Sequence, residues 1–357
     1  MTSIVVLSGG VGGARFLRGL RAHLADAPGS APGGPASALG LPDSSRDLAA
    51  TAPDSATVTA VVNTGDDMWL SGVRIAPDLD SIMYTLAGEN DEVRGWGRVG
   101  ESERVSSELR AYGIGWPWFT LGDLDIGTHL ARTALLRDGQ TLTQATARIT
   151  SRWPLGVRLL PVTDSEVETH VVVEPDDAAE GRSSMHFQEW WTRHRASLPA
   201  RAFVQHGLES TTATPEVISA IVDADVILVA PSNPVVSIGT ILGIPGVREA
   251  MAASAAPIVG VSPIIGGAVV RGMADACLSA IGVPTAADAV ARHYGARADG
   301  GLLDGWLIDE VDASLAPGIE ESGIPTRVAP LWMTDVARSA RLAGTALDFV
   351  RELRARA

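Results

Sequence analysis

The chain has 357 residues, long enough for two lobes or one large domain with a sizeable buried core. Its 28 basic residues are all arginine and stand against 42 acidic ones, a net charge of −14 that argues against nucleic acid or an anionic membrane as a partner. The lack of lysine excludes a Walker-type P-loop, a pyridoxal Schiff base and a lysine nucleophile, and the single cysteine, Cys277, excludes an internal disulfide and every cysteine-rich zinc motif.

The first predicted element is a buried strand over 4–7, followed by the glycine turn Ser8-Gly9-Gly10-Val11-Gly12-Gly13. A helix is predicted over 14–24, with Phe16, Leu17, Leu20 and Leu24 along one face. Residues 25–57 are rich in Ala, Pro, Gly, Ser and Asp, show neither period, and read as a long mobile surface loop. A second strand over 58–62 ends in Asn63-Thr64-Gly65-Asp66-Asp67. Helical patterns then dominate, over 82–87, 104–112, 128–136 and 142–149. Strand signals return at 157–160 and 170–174, and again in two continuous apolar runs, 226–230 and 257–261. A last helix starts near 334.

Short apolar runs flanked by helical segments suit strands buried on both faces. They predict an α/β fold, a Rossmann-like, mostly parallel sheet with helices on both faces. The core covers 1–76 and 155–357, and 77–154 forms a helical insertion subdomain. No stretch has the pattern of a targeting or membrane-spanning segment, so a cytoplasmic location is expected.

Four of these strands end in sequences rich in Gly, Ser, Asn, Asp and Pro: 8–13, 63–67, 231–234 and 262–267. In an open parallel sheet, ligands bind beyond the carboxyl ends of the strands, near the switch point. If the four strands share one sheet, the four loops line one cleft. Gly9, Gly10, Gly12 and Gly13 let backbone approach a ligand and aim N–H groups at phosphate, with Arg15 as a further anion contact. A tight strand-to-helix turn without a ligand would use the same glycines. The third glycine of the dinucleotide fingerprint falls at Arg15, which weakens a nicotinamide dehydrogenase reading. Asp66 and Asp67, adjacent at a strand end, suit magnesium or general-base chemistry.

Asp78 and Asp80 read more plainly as caps of the helix that follows them. Ser232 and Asn233 offer donors and acceptors to a base, ribose or phosphate, and Ser237 opens a helix whose N-terminus favours an anion, although an Asn-Pro turn accounts for the loop equally well. Asp123, Asp125 and His129 make a second acidic spot that capping and packing explain as well as chemistry. Trp69, Trp96, Trp116 and Trp118 sit in or beside the insertion, where a flat heterocycle can stack, although ordinary packing is the commoner role. The seven histidines contain no pair at helix-turn metal spacing.

The motif set as a whole resembles a known family. It comprises Leu7 to Arg15, Val62 to Asp67, Pro77-Asp78-Leu79-Asp80, Met83 to Gly88, Gly95-Trp96-Gly97, His186 to Trp191, Ala230 to Gly239 and Val261 to Gly267. In order and spacing it is similar to the 2-phospho-L-lactate transferase family of coenzyme F-420 biosynthesis. The resemblance implies a Rossmann-like fold with a helical insertion, assembled as a homodimer. It implies transfer of a phosphoenolpyruvyl or 2-phospho-L-lactyl group from a guanosine diphosphate donor to the ribityl hydroxyl of 7,8-didemethyl-8-hydroxy-5-deazariboflavin, the deazaflavin Fo. GMP leaves, and magnesium is required. The alanine-rich, lysine-free composition looks like that of a GC-rich actinobacterium, for which the enolpyruvyl donor is expected.

On this chemistry Asp66 and Asp80 hold magnesium across the diphosphate, and Asp67 binds the acceptor hydroxyl or takes its proton. The roles of Asp66 and Asp67 are exchangeable. Gly9, Gly10, Gly12, Gly13, Ser232, Asn233 and Ser237 hold the guanosine diphosphate donor, and Arg15, Asn63 and Asp80 are further substrate-binding residues. Three departures leave room for a paralogue with another acceptor: Leu124 where the family commonly has arginine, Thr240 where proline usually follows Ser-Ile-Gly, and the long 25–57 loop. The alternative of a different class is a nucleotide-sugar-binding regulatory protein of a related glycine-loop family. Such a protein is not expected to carry the full 63–67 and insertion set.

Overall fold

A computed structural model describes residues 2–26, 56–174 and 183–356. The loop read over 25–57 lies outside the described residues except for its two ends.

Among the described residues, seven strands form one sheet: β1 (Ser3–Ser8), β2 (Thr57–Val62), β3 (Arg158–Pro161), β4 (Val226–Val229), β5 (Ile258–Val261), β6 (Gly305–Ile308) and β7 (Thr326–Val328). They lie in the order β3-β2-β1-β4-β5-β6-β7 and every pairing is parallel. This is the Rossmann strand order extended by one strand, and the order reverses between β1 and β4. The expected α/β architecture is therefore present. The pattern of apolar runs did not reveal β6 and β7.

The central strands β1, β4 and β5 are apolar on both faces because both faces are covered. Ile4 and Val6 point into one helical layer, whereas Val5 and Leu7 point into the other. The first layer holds α1 (Gly10–Ala25) and the C-terminal helix Val336–Arg356, which pack on each other. The insertion contributes α2 (Pro77–Ala87), α3 (Arg104–Ala111), α4 (Asp123–Arg137) and α5 (Leu142–Thr150). Leu79, Ile82, Met83 and Leu86 of α2 enter the same core layer as α1, so the first helix of the insertion is built into the sheet domain. A short hairpin, Met68–Leu70 with Val73–Ile75, connects β2 to α2. A three-stranded antiparallel sheet, Glu168–Val173 flanked by Ser184–His186 and Ala200–His206, hangs beside it. The Thr169 N–H donates to the Gly65 carbonyl at 2.6 Å and ties this sheet to the end of β2. Among the described residues no helix is long and apolar enough to cross a membrane.

The helix predicted from residue 14 starts at Gly10, inside the glycine turn. Gly10 takes φ +58°, a left-handed conformation that glycine adopts without strain. Gly12 and Gly13 are needed for a different reason. A Cβ at Gly12 would run into the Pro231 carbonyl, and one at Gly13 into the Ser8 and Ser232 hydroxyls. The first turn of α1 thus lies directly against the loop after β4. The Ser232 hydroxyl clamps the contact, accepting from the Gly9 N–H at 3.0 Å and donating to the Gly9 carbonyl at 2.7 Å.

Gly12→Ala should therefore lower the unfolding free energy by about 1–3 kcal/mol through overpacking. Gly127, on the exposed side of α4 with open space around it, gives the opposite sign. Gly127→Ala should raise stability by about 0.5–1 kcal/mol. Urea unfolding of the two variants against the parent measures both.

Candidate active site

The turn after β2 and the start of α2 bring four carboxylates, those of Asp66, Asp67, Asp78 and Asp80, together in the interior. Asn63 organises them. Its side-chain oxygen accepts from the Gly65 N–H at 2.9 Å, and its amide nitrogen donates to Asp78 Oδ2 at 2.9 Å. Asp78 also accepts from the backbone N–H of Gly10, so it caps α1 and joins the glycine turn to the acidic turn. The sequence reading that Asp78 or Asp80 caps its own helix is corrected here. No side chain caps α2, because Asp78 turns toward α1 and Asp80 turns toward α4.

Two buried arginines answer these acids. Arg74, on the hairpin, approaches Asp67 Oδ2 at 3.8 Å, and Arg132, on α4, binds Asp80 Oδ1. Four carboxylates against two guanidiniums leave an excess of buried negative charge. Burial pushes Asp66 well above the ordinary carboxylate range, helped by the nearby charges of Asp78 and Asp67. Burial likewise raises Asp67 to about 8, against the pull of Arg74 and Arg132. Asp78 rises to about 6 by burial, opposed by its hydrogen bonds from Asn63 and Gly10. Among the described residues, Asp66 Oδ1, both oxygens of Asp67 and Asp80 Oδ2 are buried and find no hydrogen-bond donor. Oxygen acceptors with surplus negative charge are the donor set that magnesium takes, so the residues present fit that ion. Asp66 lies electrostatically closest to Asp78 and Asp67, whereas Asp67 feels Asp80 and Asp78.

Behind Asp80 lies a second buried network, on α4. The Tyr84 hydroxyl donates to Asp125 Oδ1 at 2.7 Å. His129 stands between the two acids, with Nδ1 3.5 Å from Asp80 and Nε2 3.4 Å from Asp125. Arg132 reaches His129 Nδ1 at 3.2 Å and the Arg74 carbonyl at 3.2 Å. Burial raises Asp125, but His129, Tyr84 and Arg132 outweigh it and hold the carboxyl below its ordinary range. Asp80, Asp125 and His129 each present a ligand atom within 4.8 Å of the others. Arg132 engages Asp80 Oδ1 and Tyr84 engages Asp125 Oδ1, so the triad braces Asp80 while its Oδ2 keeps no hydrogen-bond partner among the described residues. Asp123, in contrast, faces outward and caps α3, accepting from the Val105 N–H at 3.1 Å. Leu124, in the first turn of α4, is exposed.

The other predicted residues fall at the same end of the sheet, though several polar groups are already engaged. The Ser232 hydroxyl serves Gly9 on both sides. Asn233 Oδ1 accepts from the N–H groups of Val235 and Val236 at 2.9 and 3.2 Å, and its amide donates to Cys277 Sγ at 3.4 Å. Ser237 precedes a six-residue helix, Ile238–Gly243, and its side chain touches the space beside Gly9, as does Asp78. Arg15 lies one turn into α1.

Sequence reasoning missed the counter-charges Arg74 and Arg132, whose positions depend on how the hairpin and α4 fold back onto β2. It also missed a histidine face on the antiparallel sheet. Register pairs His170 with His186, and the ring centroids of His170 lie 5.6 Å from His186 and 4.3 Å from His206. The Trp116 ring, stacked on Trp118 at 4.6 Å, lies 6.0 Å from His186. The Gln188 N–H donates to His186 Nδ1 at 3.1 Å, and burial pulls this imidazole down to about 4.

Residues 4–326 match the family model of 2-phospho-L-lactate transferase, CofD. A protein of Thermobifida fusca named phosphoenolpyruvate transferase is 50% identical over 99% of this chain and 99% of its own length. Proteins of the same name from Mycobacterium avium and Streptomyces griseus are 51% and 49% identical, over 97% and 99% of this chain and 98% and 99% of theirs. A crystal structure of a UPF0052-family protein from Bacillus halodurans shares the fold with a TM-score of 0.56 at 16% identity, covering 97% of this chain and 100% of that one.

Arg132→Met should cost about 3–5 kcal/mol, because it strands the Asp80 carboxylate in the interior. Chemical unfolding at neutral pH measures the loss. His186 generates a pH effect of known sign. Its folded value lies below the ordinary 6.5, so between pH 6.5 and about 4 the unfolded chain takes up a proton that the folded chain refuses. Stability from this group is full above that window and falls as the pH drops through it. His186→Asn should shrink the acid-side loss over this interval by up to about 3 kcal/mol, read from unfolding curves at stepped pH.

Proposed function

Because the chain belongs to the 2-phospho-L-lactate transferase family, a transferase family of coenzyme F-420 biosynthesis, we propose that it moves a phosphoenolpyruvyl group from a guanosine diphosphate-linked donor to the ribityl hydroxyl of the deazaflavin Fo. The enolpyruvyl donor is preferred to the lactyl one because relatives half identical over nearly their full length carry the name phosphoenolpyruvate transferase. The observation that carries the reading is the group of donor-less buried carboxylate oxygens on Asp66, Asp67 and Asp80, set beside the glycine turn at the switch point. Attack of a hydroxyl on a diphosphate needs charge neutralisation, fixed geometry and a proton acceptor, and this end of the sheet offers groups for each.

Asp66 and Asp80 are the residues for magnesium, which when bound neutralises diphosphate charge and eases departure of GMP. Asp67, oriented by Arg74, takes the proton of the ribityl hydroxyl. That oxygen bonds to the phosphorus bearing the three-carbon acid. The bond from this phosphorus to the oxygen it shares with the GMP phosphate breaks, and GMP leaves with the electron pair. The first turn of α1 meets the diphosphate. Asn63 fixes the acidic turn, Ser232 and Asn233 shape the loop lining the guanosine, and Ser237 contacts it. Asp66 and Asp67 can exchange roles without altering this scheme.

Purified protein given Fo, magnesium and the enolpyruvyl donor should form product and GMP, with little product when magnesium is withheld. Chromatography of the fluorescent deazaflavins reads the result. Folded protein that makes no product from either donor would overturn the assignment. Asp66→Asn should cut turnover by roughly a hundredfold or more and abolish the magnesium dependence of what remains, whereas Asp67→Asn should lower kcat with little change in donor KM. The reverse pattern would exchange the two roles.

A further inference from the structure

The crevice between α1 and α2 continues past the glycine turn into a small cavity that the scheme above leaves unused. Val11, Arg15 and Arg18 line it from α1, Ser81 and Thr85 from α2, and Trp96 and Arg271 from two loops. Arg15 and Arg18 are three residues apart and share a helix face. Arg271 arrives from the segment after β5, where its guanidinium donates to the Gly95 carbonyl at 3.3 Å. It fills the space that a Cβ at residue 95 would need, and Gly95 sits at φ +79°. The Gly95-Trp96-Gly97 motif thereby gains a physical reason, since only glycine lets that turn lie against Arg271.

Three guanidiniums meet here and one carboxylate answers them. Glu92 pairs with Arg18 at 2.6 Å from a largely exposed position. Among the described residues Arg15 forms no ion pair or side-chain hydrogen bond, and Arg18 Nε is buried without an acceptor. Like charges gathered in a partly buried pocket are unfavourable unless an anion joins them, and planar guanidinium groups match a carboxylate or phosphoryl group bidentately. We propose that Arg15, Arg18 and Arg271 form an anion subsite that takes the carboxylate of the donor's three-carbon acid, one helical turn beyond the diphosphate. This deepens, and rests on, the transferase reading given above.

The test compares wild type with Arg271→Gln and Arg271→Lys. The readouts are donor KM and kcat, inhibition by GDP, which lacks the three-carbon acid, and the thermal unfolding midpoint. Arg271→Gln should raise donor KM roughly tenfold to a hundredfold, with GDP inhibition changed less than about twofold and a folded protein. Arg271→Lys, which keeps the charge but loses the planar fork, should fall between. Parallel weakening of GDP would move Arg271 onto the diphosphate and overturn the proposal, as would unchanged kinetics. A second arm needs no turnover and so separates this proposal from the transferase assignment. Calorimetric titration of phosphoenolpyruvate alone should show binding to wild type that Arg271→Gln weakens at least roughly tenfold. No binding to wild type, or equal binding to both, overturns the subsite even if the enzyme is active.

Discussion

Buried negative charge is the constraint around which this end of the molecule is arranged. Removing a carboxylate from water is costly, and four of them share the space between β2, the glycine turn and α2. Each has a distinct electrostatic solution. Asp78 is satisfied by neutral donors, Asn63 and the Gly10 N–H. Asp80 has Arg132 on one oxygen and Asp67 has Arg74 at a looser distance, whereas Asp66 is left with its neighbour Asn63. The pattern is graded, from fully answered to nearly unanswered, and the unanswered oxygens lie at the switch point of the sheet. A fold selected for stability alone would favour apolar groups at these positions.

The glycine turn makes a complementary point about what a glycine-rich segment means. Gly12 and Gly13 are small because the helix leans on Pro231 and Ser232, and that lean brings the loops after β1 and β4 within hydrogen-bonding distance. Close packing alone thus requires glycine at these two positions. The turn that welds two strands of the sheet together is also the turn that presents backbone to the crevice.

The layered α/β plan was legible in the sequence because its central strands, β1, β2, β4 and β5, are short, largely apolar runs closed by turn residues. β6 and the edge strand β7 were not. β6 begins with glycine, and β7 has three residues with little apolar content. The acidic turn stood out in the sequence because two adjacent aspartates after a hydrophobic strand have no ordinary solvent-facing role, and both are buried. Arg74, Arg132 and Arg271 were invisible as site residues. Each lies far along the chain from its partner or in a segment with no motif of its own, and only the chain path makes them neighbours. Asp78 was misread because capping was sought within its own helix, whereas it caps the helix before it.

Within the insertion α4 is fastened to α2 through the Arg132–Asp80 pair, and to the hairpin of the sheet domain through the Arg132 bond to the Arg74 carbonyl and the Thr133 hydroxyl that accepts from the Arg74 N–H at 2.8 Å. These are interior contacts, so α4 is a wall of the cleft and cannot swing as a lid without uncovering an unpaired acid. Grafting this insertion between relatives is therefore a transplant of an electrostatic unit. Asp80, His129 and Arg132 must travel together, or the recipient inherits a charge that its interior has no means to neutralise.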